Sequence, residues 1–159
     1  MIVHHGKSLK GDLIVMRKDL EKIWDEHVSK EFVKRNLDET MATMSDDPYI
    51  KIIPINIDRR GKEEVRSFYR DVLIPSLPDD LHATLLNRVI GDRHVVDEIR
   101  FSLTHTKQMD WLLPNLPPTN KRVELDHIVV VEFSGDKVAG ERVYWDQATV
   151  LRQVGLLRD

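Results

Sequence analysis

An α+β domain is predicted, because helical periodicity fills the first part of the chain and strand alternation the rest. The strands also come in turn-linked pairs with no helix between them. Between residues 17 and 44, Leu20, Ile23, Trp24, Val28, Phe32, Leu37, Met41 and Met44 recur mostly in steps of three and four, the stripe of a core-facing helix. Asn36 and Asp38 interrupt it with capping residue types, so one long helix and two helices bent near Asn36 fit equally well. Asp46-Asp47-Pro48 stops the helical pattern, and residues 49–57 alternate with β-branched side chains as a strand does. Gly61 opens a further helix with Glu63 and Glu64 in its first turn, at the positive end of the dipole. Val65, Phe68, Tyr69 and Val72 share one of its faces, and Pro75 and Pro78 end it. Residues 81–90 and 95–105 flank a Gly91-Asp92 turn, and residues 122–133 and 138–145 flank Ser134-Gly135-Asp136-Lys137. A Pro-rich connection over residues 109–120 joins the two pairs, and an amphipathic helix over residues 147–157 closes the chain.

With 159 residues, 41% of them hydrophobic, the chain supports one core: a domain over residues 17–159 behind an N-terminal extension, residues 1–16. Lys and Arg total 24 against 27 for Asp and Glu, a net charge of -3 that offers no general attraction to nucleic acid or acidic membranes. A small hydrophobic molecule is the expected partner. The absence of cysteine excludes disulfides, thiolate metal sites and a thiol nucleophile. Apolar runs are short and residues 1–11 lack an apolar core, so neither a membrane span nor a secretory signal is expected, and a cytoplasmic location follows by exclusion. No Gly-rich phosphate loop or GxSxG elbow is present. The histidines at 4, 5, 27, 82, 94, 105 and 127 show no HxH or HxxxH spacing on one convincing element, so no dedicated metal site is expected. His4-His5 reads as a flexible terminus.

In a half-buried strand the informative residue is a polar one in the apolar phase. Val95, Asp97, Ile99, Phe101, Leu103 and His105 share a phase, which turns Asp97 and His105 inward. An inward carboxylate is costly unless it is paired or functional. Asp97 is therefore an acid/base candidate or the partner of an arginine such as Arg93 or Arg88. His105 either assists catalysis or donates to a backbone carbonyl at the strand end. Val123, Leu125, His127, Val129, Val131 and Phe133 align, making His127 a pocket candidate and Asp126 a surface one, unless a bulge exchanges them. In the last strand neither face is cleanly apolar. Asp146 serves either as acid/base or as N-cap of the closing helix. Trp111 is either a lid over a ligand or a plug over the sheet edge.

Asp46-Asp47-Pro48-Tyr49, Val95-Val96-Asp97-Glu98 through Phe101 to Thr106, Asp110-Trp111-Leu112-Leu113-Pro114 and the run from Tyr144 to Leu157 together give a chain that resembles the SnoaL-like polyketide cyclase family of the nuclear transport factor 2-like superfamily. The resemblance implies a cone: N-terminal helices packed on a curved, mostly antiparallel sheet with a short C-terminal helix, enclosing a hydrophobic cavity. It also implies a homodimer formed through the sheet. Polyketide cyclases of this kind use an acidic residue in an intramolecular aldol closure, and the similar ketosteroid isomerases shuttle a proton beside a carbonyl with a carboxylate. Limonene-epoxide hydrolases need an Asp-Arg-Asp set, and Asp97 and Arg100 stand out of phase for it.

The expected function is cofactor-independent acid/base chemistry on a hydrophobic carbonyl-bearing metabolite. Asp97 or Asp146 is the expected acid/base, with His105 or His127 assisting, and Tyr49, Phe101, Trp111, Tyr144 and Trp145 shaping the cavity. The alternative is a non-catalytic ligand-binding or dimeric interaction module in which the polar residues serve as ion pairs and caps.

Overall fold

The computed structural model describes residues 9–158. Of the expected extension, residues 1–8, with His4-His5, lie outside the described residues, and the rest already belongs to helix α1 (Leu9–Val28). Helix α1 buries Leu20, Trp24 and His27 at the spacing of one helical face. It runs on into a π-helical turn (Ser29–Val33) closed by Lys34 N–H to the Ser29 carbonyl, 2.9 Å. Arg35 then takes a positive φ of 52° and breaks the axis. Asn36 caps α2 (Leu37–Ala42) by accepting the Glu39 N–H at 3.1 Å, so the pair of helices is the alternative adopted.

Strand β1 (Met44–Ile52) starts before Asp46-Asp47-Pro48 rather than after it. Its pairing with β6 shifts register between Met44 and Tyr49, and such an irregularity is where a strand accepts a proline without losing a ladder bond. The single strand expected over residues 49–57 is a reversal: a 3₁₀ turn (Ile53–Ile55) and Asn56 at φ 55° fold β2 (Ile57–Arg60) back on β1. Helix α3 (Gly61–Phe68) passes through a second π-helical turn (Tyr69–Leu73) into the short α4 (Ile74–Ser76). Pro75 thus lies within a helical segment. It occupies the first turn of α4, where a missing N–H costs nothing.

Strands β3 (His82–Ile90), β4 (His94–Thr104), β5 (Arg122–Ser134) and β6 (Lys137–Trp145) follow, then α5 (Gln147–Gln153). The sheet is open and curved, in the order β2-β1-β6-β5-β4-β3, and only the β1–β6 pair is parallel. In β5 every second residue from Val123 to Phe133 is buried, and Val95, Asp97, Phe101 and Leu103 of β4 lie in register beside them. This face and the helices enclose the core. Among the described residues no helix is long and apolar enough to cross a membrane.

On the opposite face the Tyr49 ring lies directly on Gly140, where no Cβ fits, and its hydroxyl donates to Glu132 Oε2 at 2.8 Å while Arg142 donates to it. Gly140→Ala should lower unfolding free energy by roughly 1–3 kcal/mol, the usual cost of overpacking. Urea titration checks it through a reduced midpoint at unchanged slope.

Candidate active site

A cavity of about 180 Å³ lies between the helices and the buried face of the sheet. Its walls are mostly apolar: Trp24 and Val28 from α1, Phe32 from the first π turn, Phe68 from α3, and Ile99, Phe101, Leu125, Val129 and Val143 from the strands. Polar groups enter at Glu31, Tyr69, Glu141 and His127.

Three of those four meet His27, which is fully buried. Thr43 Oγ1 spends its proton on the Thr40 carbonyl at 2.6 Å, so it accepts from His27 Nδ1–H, also at 2.6 Å. The other ring nitrogen, Nε2, faces Glu141 Oε1 at 3.2 Å, Glu31 Oε2 at 3.4 Å and the Tyr69 hydroxyl at 3.4 Å. Tyr69 donates to Glu141 Oε1 at 3.2 Å. The Trp24 ring stacks on the imidazole, centroids 5.3 Å apart and planes 14° apart. Burial alone would lower the basicity of His27, but pairing with the Glu141 and Glu31 carboxyls outweighs it and pushes its pKa up to about 9. One imidazolium therefore stands against two carboxyl groups. Burial, opposed by pairing with His27 and reinforced by the nearby Glu141 charge, raises Glu31 to about 7. Burial and the same carboxylates push the Tyr69 phenol well above its ordinary range, so it stays a donor.

Glu31 Oε2 is held only by its 3.4 Å ion contact with His27, and His127 Nδ1 has no hydrogen-bond partner among the described residues. Such a group ordinarily costs about 1–3 kcal/mol. His127 packs against Phe101, ring centroids 4.3 Å apart, and burial lowers its pKa to about 4, which keeps it neutral at pH 7. His27, Glu31 and Glu141 present ligand atoms all within 4.8 Å of one another, close enough to surround a small cation. A metal must first displace the Nε2 proton, which both carboxyl groups hold in place, so the cluster carries its own cation.

The residues proposed from the sequence separate into distinct places. Phe101, Trp111, His127 and Trp145 line the cavity. Trp111 is anchored by its indole N–H to Ser76 Oγ at 2.9 Å, and Trp145 by its own to Gln147 Oε1 at 2.6 Å. Tyr49 and Tyr144 alternate with the lining residues Ile50 and Val143 and so take the other face of the sheet. Asp97 is buried in an ion pair, receiving Arg88 Nε on Oδ1 at 2.7 Å, and Arg88 Nη2 and Trp24 Nε1 on Oδ2, both at 2.8 Å. His105 accepts the Thr119 N–H on Nδ1 at 3.3 Å and pins the Pro-rich connection to the end of β4. Asp146 is exposed and caps α5, accepting Ala148 N–H at 3.0 Å and the Thr149 hydroxyl at 2.6 Å, bonds that lower its pKa.

Sequence reasoning did not select His27, Glu31, Tyr69 and Glu141. The available signal was phase. His27 and Glu31 continue the Leu20–Trp24 face of the helix, Tyr69 shares a face with Val65, and Glu141 lies in the phase of Val143 and Trp145.

Residues 15–154 match the family model described as SnoaL-like polyketide cyclase. No curated protein matches the chain. Among solved structures it is similar to TsrD from Streptomyces laurentii, with a TM-score of 0.67 and 18% identity over 89% of this chain and 98% of that one. It is also similar to a nuclear transport factor 2-like protein from Burkholderia xenovorans, with a TM-score of 0.63 and 13% identity over 87% and 98% of the two chains. A protein of ketosteroid isomerase-like fold from Catenulispora acidiphila, solved with trimethylamine, has a TM-score of 0.63 and 14% identity over 85% and 93%. At these identities the likeness establishes the fold.

Removing one partner of a buried ion pair strands the other charge, at a cost of about 3–5 kcal/mol. Asp97→Ala is expected to lose that much unfolding free energy, as measured by chemical denaturation.

Proposed function

The chain belongs to the SnoaL-like polyketide cyclase family, and from that premise we propose that it is a cofactor-independent acid/base enzyme acting on a hydrophobic carbonyl-bearing metabolite. One observation carries this reading: an apolar cavity is lined by a buried carboxyl group, Glu31, which burial raises to about pKa 7 although its Oε2 faces His27 Nε2 at 3.4 Å. A carboxylate so placed takes a proton from the carbon beside a carbonyl and returns it at another position, with no net redox change. Glu31 takes the part that the sequence offered to Asp97 or Asp146. Tyr69, which lines the cavity beside Glu31, is the donor nearest the carbonyl oxygen once its hydroxyl turns from Glu141, and the buried positive charge of His27 behind it favours the negative charge that develops there.

The alternative, a non-catalytic dimeric module, draws support from the exposed apolar side chains Leu85, Leu86 and Val89 on edge strand β3. A second copy packed on the sheet covers such residues.

Deuterium exchange at the carbons flanking the carbonyl of small cyclic ketones, followed by NMR, tests the proposal. Exchange is expected to rise as pH increases through about 7, where Glu31, faced by His27, Glu141 and Tyr69, loses its proton. Glu31→Gln should reduce it at least about 100-fold, within the range of general-base contributions. Exchange abolished instead by Asp146→Asn, with Glu31→Gln unaffected, returns the role to Asp146. Exchange absent from the unaltered protein favours the module.

A further inference from the structure

Among the described residues that line the cavity, all are buried or half-buried except Val33 and Ala83. A residue that both lines a cavity and faces solvent marks its mouth, so the cavity reaches the surface where these two stand. They lie on opposite banks. Val33, 78% exposed, ends the first π turn, and Ala83 belongs to the edge strand β3. The rings behind them join the two banks: Ala83 pairs with Phe101 across the β3–β4 ladder, and Phe32, next to Val33, meets Phe101 edge-on with ring centroids 5.6 Å apart. Exposed Leu85, in the same phase as Ala83, continues the apolar bank along β3. Ala83 is also the smallest side chain on the lining, where every other described residue is valine or larger. Alanine is disfavoured in strands, and a larger apolar residue at this place would bury more surface, so strand stability does not call for it. What a larger side chain would remove is the opening toward Val33.

We propose that ligands enter between Val33 and Ala83 and that Ala83 determines the breadth of molecule admitted. This rests on reading the cavity as the ligand site and adds a selection step ahead of binding. Both banks are apolar, so a hydrophobic ring gives up no hydrogen bond in passing them. A side chain longer than a methyl at position 83 must be displaced each time a molecule crosses, so the selection acts on the rates of entry and exit.

Entry is measured with 4-fluorotoluene and the broader 1-fluoro-3,5-dimethylbenzene, added to the full chain, from fluorine-19 exchange spectra that give on- and off-rates. Ala83→Val, Ala83→Leu and Ala83→Phe should slow entry increasingly in that order, Ala83→Leu by at least about tenfold, and each should slow the broader ring more. Exit should slow with entry and leave the dissociation constant within about threefold, because a doorway alters the barrier rather than the bound state. Val33→Phe should close the opening from the opposite bank, and Val33→Ala should restore entry to the Ala83→Leu chain. Thr84→Leu, on the other face of the strand, should change nothing. If the variants of one bank fail to fold, those of the other decide. Entry unchanged by Ala83→Phe and Val33→Phe, an equal effect from Thr84→Leu, or no saturable binding of either ring by the unaltered protein at millimolar concentration overturns the proposal. Neither probe carries a carbonyl, so the outcomes separate: graded entry without deuterium exchange in ketones sinks the acid/base reading alone, and exchange with ungraded entry sinks this proposal alone.

Discussion

The indole N–H of Trp24 donates to Asp97 at 2.8 Å, and the placement of the site depends on that bond. Asp97 is 1% exposed and held from the neighbouring strand by the Arg88 fork, while Arg88 also reaches Asp25 at 2.9 Å and Glu21 at 3.4 Å on α1. Helix α1 is thereby fixed to β3 and β4 in rotation as well as position. The ring that makes the bond also stacks on His27, so the same contact that docks the helix sets the plane of the imidazole. A buried carboxylate tolerated for architectural reasons thus positions the groups at the end of the cavity.

From His27 onward the determining constraint is charge in a dry place. Thr43 fixes the imidazole on one side, and Glu31, Glu141 and Tyr69 crowd it on the other. An imidazolium satisfies one carboxylate readily and a second only in part, so the second carries the cost of burial and holds its proton more tightly. Two π-helical turns contribute to this geometry. Glu31 stands within the first and Tyr69 opens the second, each on an element whose local widening re-aims a side chain.

The amphipathic elements were legible because one face of each is buried, which imposes a period of two or of three to four on the residues. Proline misled twice, since Pro48 lies at a register shift and Pro75 in a first turn, the two settings where its missing donor is harmless. The β1–β2 reversal was hidden because it turns through Asn56 rather than a glycine. At the site, Phe101, His127, Trp111 and Trp145 were visible as apolar-phase or loop aromatics. His27, Glu31 and Glu141 belong to different elements, up to 114 positions apart in sequence, and only the packing of α1 on the sheet brings them together. The partner of Asp97, Arg88, lies directly across the β3–β4 ladder, so its pairing depends on a register that spacing leaves open.

The acid/base chemistry depends on Glu31 being the carboxyl group that exchanges its proton near neutrality. The most direct measurement is a pH titration of the Glu31 side-chain carboxyl resonance in carbon-13-labelled protein, assigned by comparison with Glu31→Gln. The account predicts a midpoint about pH 7, raised by burial and Glu141 against the pull of His27. A midpoint near 4.5, the ordinary value for a glutamate, would contradict it.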